Sequence, residues 1–287
     1  MDSPRLAVEI AALTDTGRVR PVNEDAFLVF RVGRYMERRM SSGPLPGVPE
    51  RTDDFGEVMI VADGVGGRSA GEVASGSALI ATVQTILASP QWALKLDDPA
   101  TREAELESLS IRARGYLKRV NEQVRERAAR EPGLAGMGTT LTGAYVLGHD
   151  LFVLHVGDSR AYLRHEGRFL RVTRDHTMAQ EFVDLGVMSE ADAERHRLHH
   201  VLTKAIGATE GELSGDFHHF DVAHGDRLVL CSDGLTNVVT EAEIAAILSQ
   251  YPDSEKACRA LVDGALERGA PDNVTVIVAG FHDAPQS

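Results

Sequence analysis

The sequence predicts an α+β fold of layered antiparallel sheets, and three observations carry that expectation. Strands and helices come in blocks and do not alternate one by one, which argues against βαβ crossovers. Four apolar segments between Thr140 and Val172 are joined by short glycine-containing links, which reads as hairpins. Aspartates spread from Asp63 to Asp272 mark the ends of apolar runs, and only one shared core would bring them together.

The elements follow in order. Ala7–Leu13, Ala26–Val32 and Val58–Ala62 read as early strands, rich in β-branched and apolar residues. Gly33–Asp54 holds Gly43, Pro44, Pro46, Gly47 and Pro49 and reads as a surface excursion. A helix is expected from about Ser69 to Leu87, with Val73, Ile80, Val83 and Leu87 on one face. A second is expected from about Arg102 to Arg130. There Leu106, Leu109, Ala113, Leu117, Val120 and Val124 recur at intervals of three and four among charged residues, the pattern of a helix covering a sheet. Thr140–Leu147, Leu151–Val156, Arg160–Arg164 and Phe169–Val172 are the close-spaced strands. A mixed helical segment spans about Thr177 to His200, and strands follow at Phe217–Val222 and Arg227–Cys231. Thr240 and Glu243 form a capping-box pattern opening a helix to about Gln250. A helix over Ser254–Arg268 and a strand over Val274–Phe281 close the chain.

Bulk properties narrow the function. The 287 residues carry a net charge of −13, which argues against a nucleic-acid backbone as the main partner. The longest uncharged stretch, Val73 to Leu94, is too polar to span a bilayer, and the N-terminus has no signal-peptide pattern. Cys231 and Cys258 form no C-x-x-C pair and suit a reducing cytoplasm. The expectation is a cytoplasmic protein with no membrane and no nucleic-acid partner.

The chemistry lies in the aspartates. Val58-Met59-Ile60-Val61-Ala62 runs into Asp63-Gly64, Leu151–Val156 into Gly157-Asp158, and Leu228-Val229-Leu230-Cys231 into Ser232-Asp233-Gly234, while Pro271-Asp272-Asn273 opens the last strand. Each alone is an ordinary Asp-Gly or Asp-Asn turn. Together, carboxylates at the mouths of buried strands are costly unless a charge compensates them, and hard divalent cations take such oxygen ligands. Arg20-Pro21-Val22-Asn23-Glu24-Asp25 adds an arginine suited to phosphate beside two more carboxylates.

Six motifs occur in one order: Arg20-x-x-Asn23-Glu24-Asp25, Ala62-Asp63-Gly64-Val65-Gly66-Gly67, Gly136-Met137-Gly138-Thr139-Thr140, Gly157-Asp158-Ser159-Arg160, Ser232-Asp233-Gly234-Leu235 and Pro271-Asp272-Asn273. The set resembles the metal-dependent protein phosphatase family (PPM, the type 2C serine/threonine phosphatases) in its compact bacterial form, over about Ala12 to Ala279. The resemblance implies a four-layer α-β-β-α sandwich, a single catalytic domain over 1–287, and a metal cleft at one edge. It implies two divalent cations, Mn²⁺ or Mg²⁺, and a third, weaker site. Asp63 matches the bridging ligand, the Gly64 carbonyl completes one shell, and Asp233 and Asp272 match ligands of the other metal. Glu24 and Asp25 match the acidic pair that holds the second metal, largely through water. Asp158 matches a ligand of the third, with Asp233 shared. Arg20 matches the arginine that grips the substrate phosphate, and 176–206 matches a flap over the cleft. The implied reaction is hydrolysis of phosphoserine and phosphothreonine in proteins by a metal-activated water, without a phospho-enzyme, reversing a serine/threonine kinase. The implied assembly is a monomer. Val65 stands where some relatives have a histidine proposed as general acid, which leaves His155 and His176 as substitutes. The alternatives are a pseudophosphatase that binds phosphoproteins, and a serine hydrolase built on Gly67-Arg68-Ser69-Ala70-Gly71, which fits G-x-S-x-G.

Overall fold

The computed structural model describes residues 6–40, 51–65, 70–89, 96, 100–209 and 213–284. Two antiparallel sheets form its centre. The first has the order β1-β11-β10-β7-β8, from Leu6–Asp15 (β1), Val274–Asp283 (β11), Arg227–Cys231 (β10), Arg160–His165 (β7) and Arg168–Arg171 (β8). The second runs β2-β3-β5-β6-β9, from Asp25–Glu37 (β2), Arg51–Val65 (β3), Leu141–Leu147 (β5), Asp150–Val156 (β6) and Asp216–Asp221 (β9). The two-residue β4, Gly138–Thr139, pairs with the end of β3.

Strand alternation builds three apolar layers. On β3, Met59 and Val61 enter the core between the sheets, while Val58, Ile60 and Ala62 face the helices α1 (Ala70–Leu87) and α2 (Arg102–Arg130). On β10, Leu228 and Leu230 face the other sheet. Val229 and Cys231 face the helices α6 (Glu241–Gln250) and α7 (Ser254–Glu267). The result is the expected α-β-β-α sandwich. No helix among the described residues is long and apolar enough to cross a membrane.

Local signals hold where one element decides the outcome. Leu109, Ala113, Leu117, Val120 and Val124 form the buried stripe of α2. Thr240 and Glu243 make the reciprocal capping box of α6, Thr240 accepting from Glu243 N–H and Glu243 from Thr240 N–H.

Three expectations are corrected. Gly33–Asp54 is not wholly an excursion. Gly33–Glu37 pair with Arg51–Phe55 as an extension of the β2–β3 ribbon, and the proline-rich centre, 41–50, lies outside the described residues. The face expected for α1 is also wrong. Ile80 is 56% exposed and Leu87 73%, while Ala70, Gly71, Ala74, Ser75, Ala78 and Ala81 are buried. The buried face of α1 is mostly small side chains, joined by Leu79, and of the expected face Val73 packs partly buried against the same core. Finally, Gly157-Asp158-Ser159 is not a hairpin turn, because β6 and β7 belong to different sheets and this link carries the chain from one to the other. Two short elements carry no periodic signal and went unanticipated: a 3-10 turn at Pro132–Leu134 and the one-turn helix α5 (Asp233–Thr236). Helices α3 (Met178–Asp184) and α4 (Glu190–Ala193) make up the mixed segment over 177–200.

Candidate metal centre

The carboxylates gather where strands of both sheets end. Asp25 opens β2 and lies directly across from Asp63 near the end of β3. Asp158 sits on the link between sheets, Asp233 begins α5 just past β10, and Asp272 precedes β11. Their electrostatic coupling shows that they face one another. Asp63 feels Asp25, Asp233, Asp158 and Asp272, and Asp25 feels Asp233 and Asp272.

Neutral hydrogen bonds hold this edge together. Asp63 N–H donates to Thr140 Oγ1 at 2.9 Å, and its carbonyl accepts from Thr140 N–H and Thr139 Oγ1, each at 2.8 Å. Thr140 Oγ1 and Ser159 Oγ lie 2.7 Å apart, tying the β3 end to the inter-sheet link. Gly157 has φ +111°, a left-handed conformation that favours glycine, so that link can pass close against Thr140. Ser232 Oγ donates to Asp25 Oδ2 at 2.6 Å. Asn273 stitches the N-terminal loop in place: it accepts from Glu24 N–H at 2.8 Å and donates to the carbonyls of Thr16 and Val22.

Positive charge is scarce. Arg20 Nη2 donates to Asp272 Oδ2 at 2.6 Å, and His200 Nδ1 lies 3.6 Å from Asp233 Oδ2. Burial, then neighbouring carboxylates, pushes the Asp63 and Asp158 carboxyls well above their ordinary range. Burial raises Asp25 to about 7, against the hydrogen bond from Ser232. Burial also raises Glu24. Five clustered carboxylates with too little cationic charge form an all-oxygen donor set, which suits hard divalent cations.

A prediction follows with its sign. Asp25 has an unfolded pKa near 3.9 and a folded one of about 7, so the metal-free native state binds more protons than the unfolded state between those values. Asp63 and Asp158 act in the same direction, so stability is lost as pH rises through about 7, outweighing the opposite contribution of the single buried His155. The metal-stripped protein should melt several degrees lower at pH 8 than at pH 5.5, and Mn²⁺ should close that gap. A metal-stripped Tm that is equal or higher at pH 8 would remove the electrostatic conflict on which the site rests.

The two substitute histidines are engaged elsewhere. His155 is fully buried, with Nδ1 2.9 Å from Thr142 Oγ1 and Nε2 3.0 Å from the Arg174 carbonyl; burial drives its pKa down to about 3. His176 Nδ1 accepts from Gly157 N–H at 3.1 Å, Nε2 faces Asp216 at 3.4 Å, and its ring stacks on His155. His176 holds the Gly157–Asp158 link directly, and His155 stacks behind it. His200, by contrast, faces the carboxylates from the 176–206 segment; its only sequence signal was its place in that segment.

A second group, Asp150, His219 and Asp221, stands at the start of β6, the opposite end from Asp158. Arg102 lies across it, donating to Asp150 at 2.6 and 3.0 Å and to Asp221 at 2.9 Å, so its charge is balanced within the protein. Ser69 of the G-x-S-x-G pattern lies outside the described residues. The preceding strand, β3, pairs antiparallel on both sides, unlike the parallel sheet that such an elbow needs.

An antiparallel two-sheet sandwich with carboxylates converging on one edge, beside an arginine, defines a frame built around a candidate divalent-cation site. The chain belongs to the protein phosphatase 2C family, whose model matches residues 50–267. It is 33% identical over 278 residues to the serine/threonine protein phosphatase PstP of Mycobacterium tuberculosis, covering 97% of this chain and 46% of that one. The chain thus spans about half the length of that relative. It is 32% identical over 265 residues to the serine/threonine phosphatase stp of Listeria monocytogenes, covering 92% of each. Among solved structures it resembles the PstP catalytic domain in complex with two manganese ions, with a TM-score of 0.71 at 31% identity, covering 97% of this chain and 100% of that one. The S. agalactiae serine/threonine phosphatase gives a TM-score of 0.74 at 28% identity, covering 96% of this chain and 99% of that one.

Proposed function

We propose that this chain forms one catalytic unit that hydrolyses phosphoserine and phosphothreonine in proteins. The observation that supports it most is the convergence of Asp25, Asp63, Asp158, Asp233 and Asp272 beside Arg20. Asp63, Glu24, Asp25, the Gly64 carbonyl, Asp233 and Asp272 would hold the cations, and Asp158 would offer a ligand to a third, weaker one. Divalent cations held there, Mn²⁺ or Mg²⁺, acidify water and neutralise phosphoryl charge. Arg20 orients the phosphoryl group. It is half-exposed and, among the described residues, pairs with Asp272, so it can turn to a phosphoryl oxygen if that carboxylate is taken up by a cation. No protein nucleophile is needed, so no phospho-enzyme forms.

The substrates are products of a serine/threonine kinase. The buried free cysteines suit a reducing cytoplasm. A monomer is expected, which size-exclusion chromatography checks.

Phosphate release from a phosphothreonine peptide with Mn²⁺ or Mg²⁺, and its loss with EDTA, tests the reading. A folded, metal-loaded protein that releases no phosphate yet binds the peptide would make it a pseudophosphatase. Arg20→Ala is expected to raise KM by about tenfold, the value of one charge-assisted hydrogen bond, while Mn²⁺ affinity survives. Unchanged steady-state kinetics would remove Arg20 from the site.

A further inference from the structure

At the opposite end of β10 from Asp233, a cavity of about 170 Å³ is lined by Arg164, Arg227, Leu248, Pro252, Gly280 and His282, among others. Six residues of extended chain separate Arg227 from Asp233, about 20 Å. Arg227 opens β10 and lies between Gly280 of β11 and Arg164 of β7. It is only 4% exposed.

One side of its guanidinium is used. Nη1 donates to the carbonyls of Leu248, at 3.0 Å, and Tyr251, closing the end of α6. The other side is not. Nε and Nη2 are buried and meet no acceptor among the described residues. These two N–H groups form the parallel edge that pairs with two oxygens of one acceptor. A buried charged donor without an acceptor is costly, so its persistence calls for a ligand.

The carboxylates nearby are committed elsewhere. Glu9 accepts from Ser254 N–H at 3.1 Å and faces His282 at 3.3 Å. Asp226 Oδ2 accepts from Ala223 N–H at 2.8 Å and pairs with His165 at 2.7 Å. Asp253 caps α7 through Lys256 N–H at 2.8 Å. Burial pulls the Arg227 pKa down, with Glu9 and Asp253 opposing that shift and Arg164 adding to it. Gly280 keeps the neighbouring space clear, since a Cβ there would come within 3.1 Å of His282 Nε2.

We propose that this cavity binds a small oxyanion, a carboxylate or phosphate group, held by Nε and Nη2 of Arg227 with Arg164 beside it. The site is independent of the metal centre.

The test follows the Arg227 Nε–H resonance, assigned through bonds, in the full chain loaded with Mg²⁺. Sodium phosphate, sodium acetate and sodium chloride are titrated at matched ionic strength. A saturable shift with phosphate, acetate or both, and none with chloride, is expected. Phosphate alone would identify a phosphoryl ligand, acetate alone a carboxylate. Arg164→Gln should weaken the shift-producing anion by about tenfold, the loss of one charged partner. No saturable shift with either anion would overturn the proposal, because the buried edge would then take no anion. A shift that Arg164→Gln leaves equally tight would overturn it too.

Discussion

Asp63→Asn should lower kcat by about a thousandfold or more, the loss expected when several kcal/mol of charge stabilisation disappears. The fold should survive, because the Asp63 backbone is held by Thr139 and Thr140 and not through its carboxylate. The variant removes a carboxylate that faces four others. It should therefore melt higher than the parent protein when both are metal-free, and should bind Mn²⁺ more weakly by calorimetry. Activity and stability move in opposite directions, which a general folding defect cannot produce. Wild-type turnover in this variant would end the assignment of the centre.

Gly64→Ala tests the same edge through the backbone. A Cβ at this position would lie 2.7 Å from the Glu24 carbonyl oxygen and closer still to that of Gly71. Both obstacles are main chain, so neither can rotate away. The end of β3, the N-terminal loop and the start of α1 meet here, and Gly64 N–H donates to Glu24 O at 3.2 Å. We expect a loss of about 3 kcal/mol or more, in the range of forced overpacking, together with weakened metal binding as the Glu24–Asp25 loop is displaced. Urea unfolding checks the first effect and Mn²⁺ titration the second. A variant with unchanged stability would mean that β3 and α1 separate far more easily than the packing indicates.

Some of this was legible because it is local. A β-branched run ending in Asp-Gly tells of a buried strand and of the carboxylate at its mouth, whatever lies opposite. The stripe on α2 and the capping box of α6 are equally self-contained. The buried face of α1 was not legible in the same way. Ile80 and Leu87 are apolar yet exposed, while the side of α1 that meets β3 and α2 buries alanines and Gly71 together with Leu79, a choice made by packing across elements and not by hydrophobicity alone. Gly157-Asp158-Ser159 has the composition of a turn, and nothing within it says that its two strands belong to different sheets. His155 and His176 looked available as proton donors. Their stacking and their bonds to Thr142, Arg174 and Gly157 appear only when β6 and the 176–206 segment meet.

By itself, then, the sequence determined which side chains are acidic, where each strand ends, and hence which oxygen ligands exist. Those properties are set by residue type and short-range periodicity. Only the tertiary structure decided that Asp25 lies across from Asp63, that Asn273 anchors Glu24, and that Arg20 meets Asp272 from 252 residues away. It also left one edge of Arg227 without an acceptor among the described residues. Pairings of that kind depend on how two sheets stack, and the energy that fixes the stacking is spread over the apolar core between them rather than written at the residues it brings together.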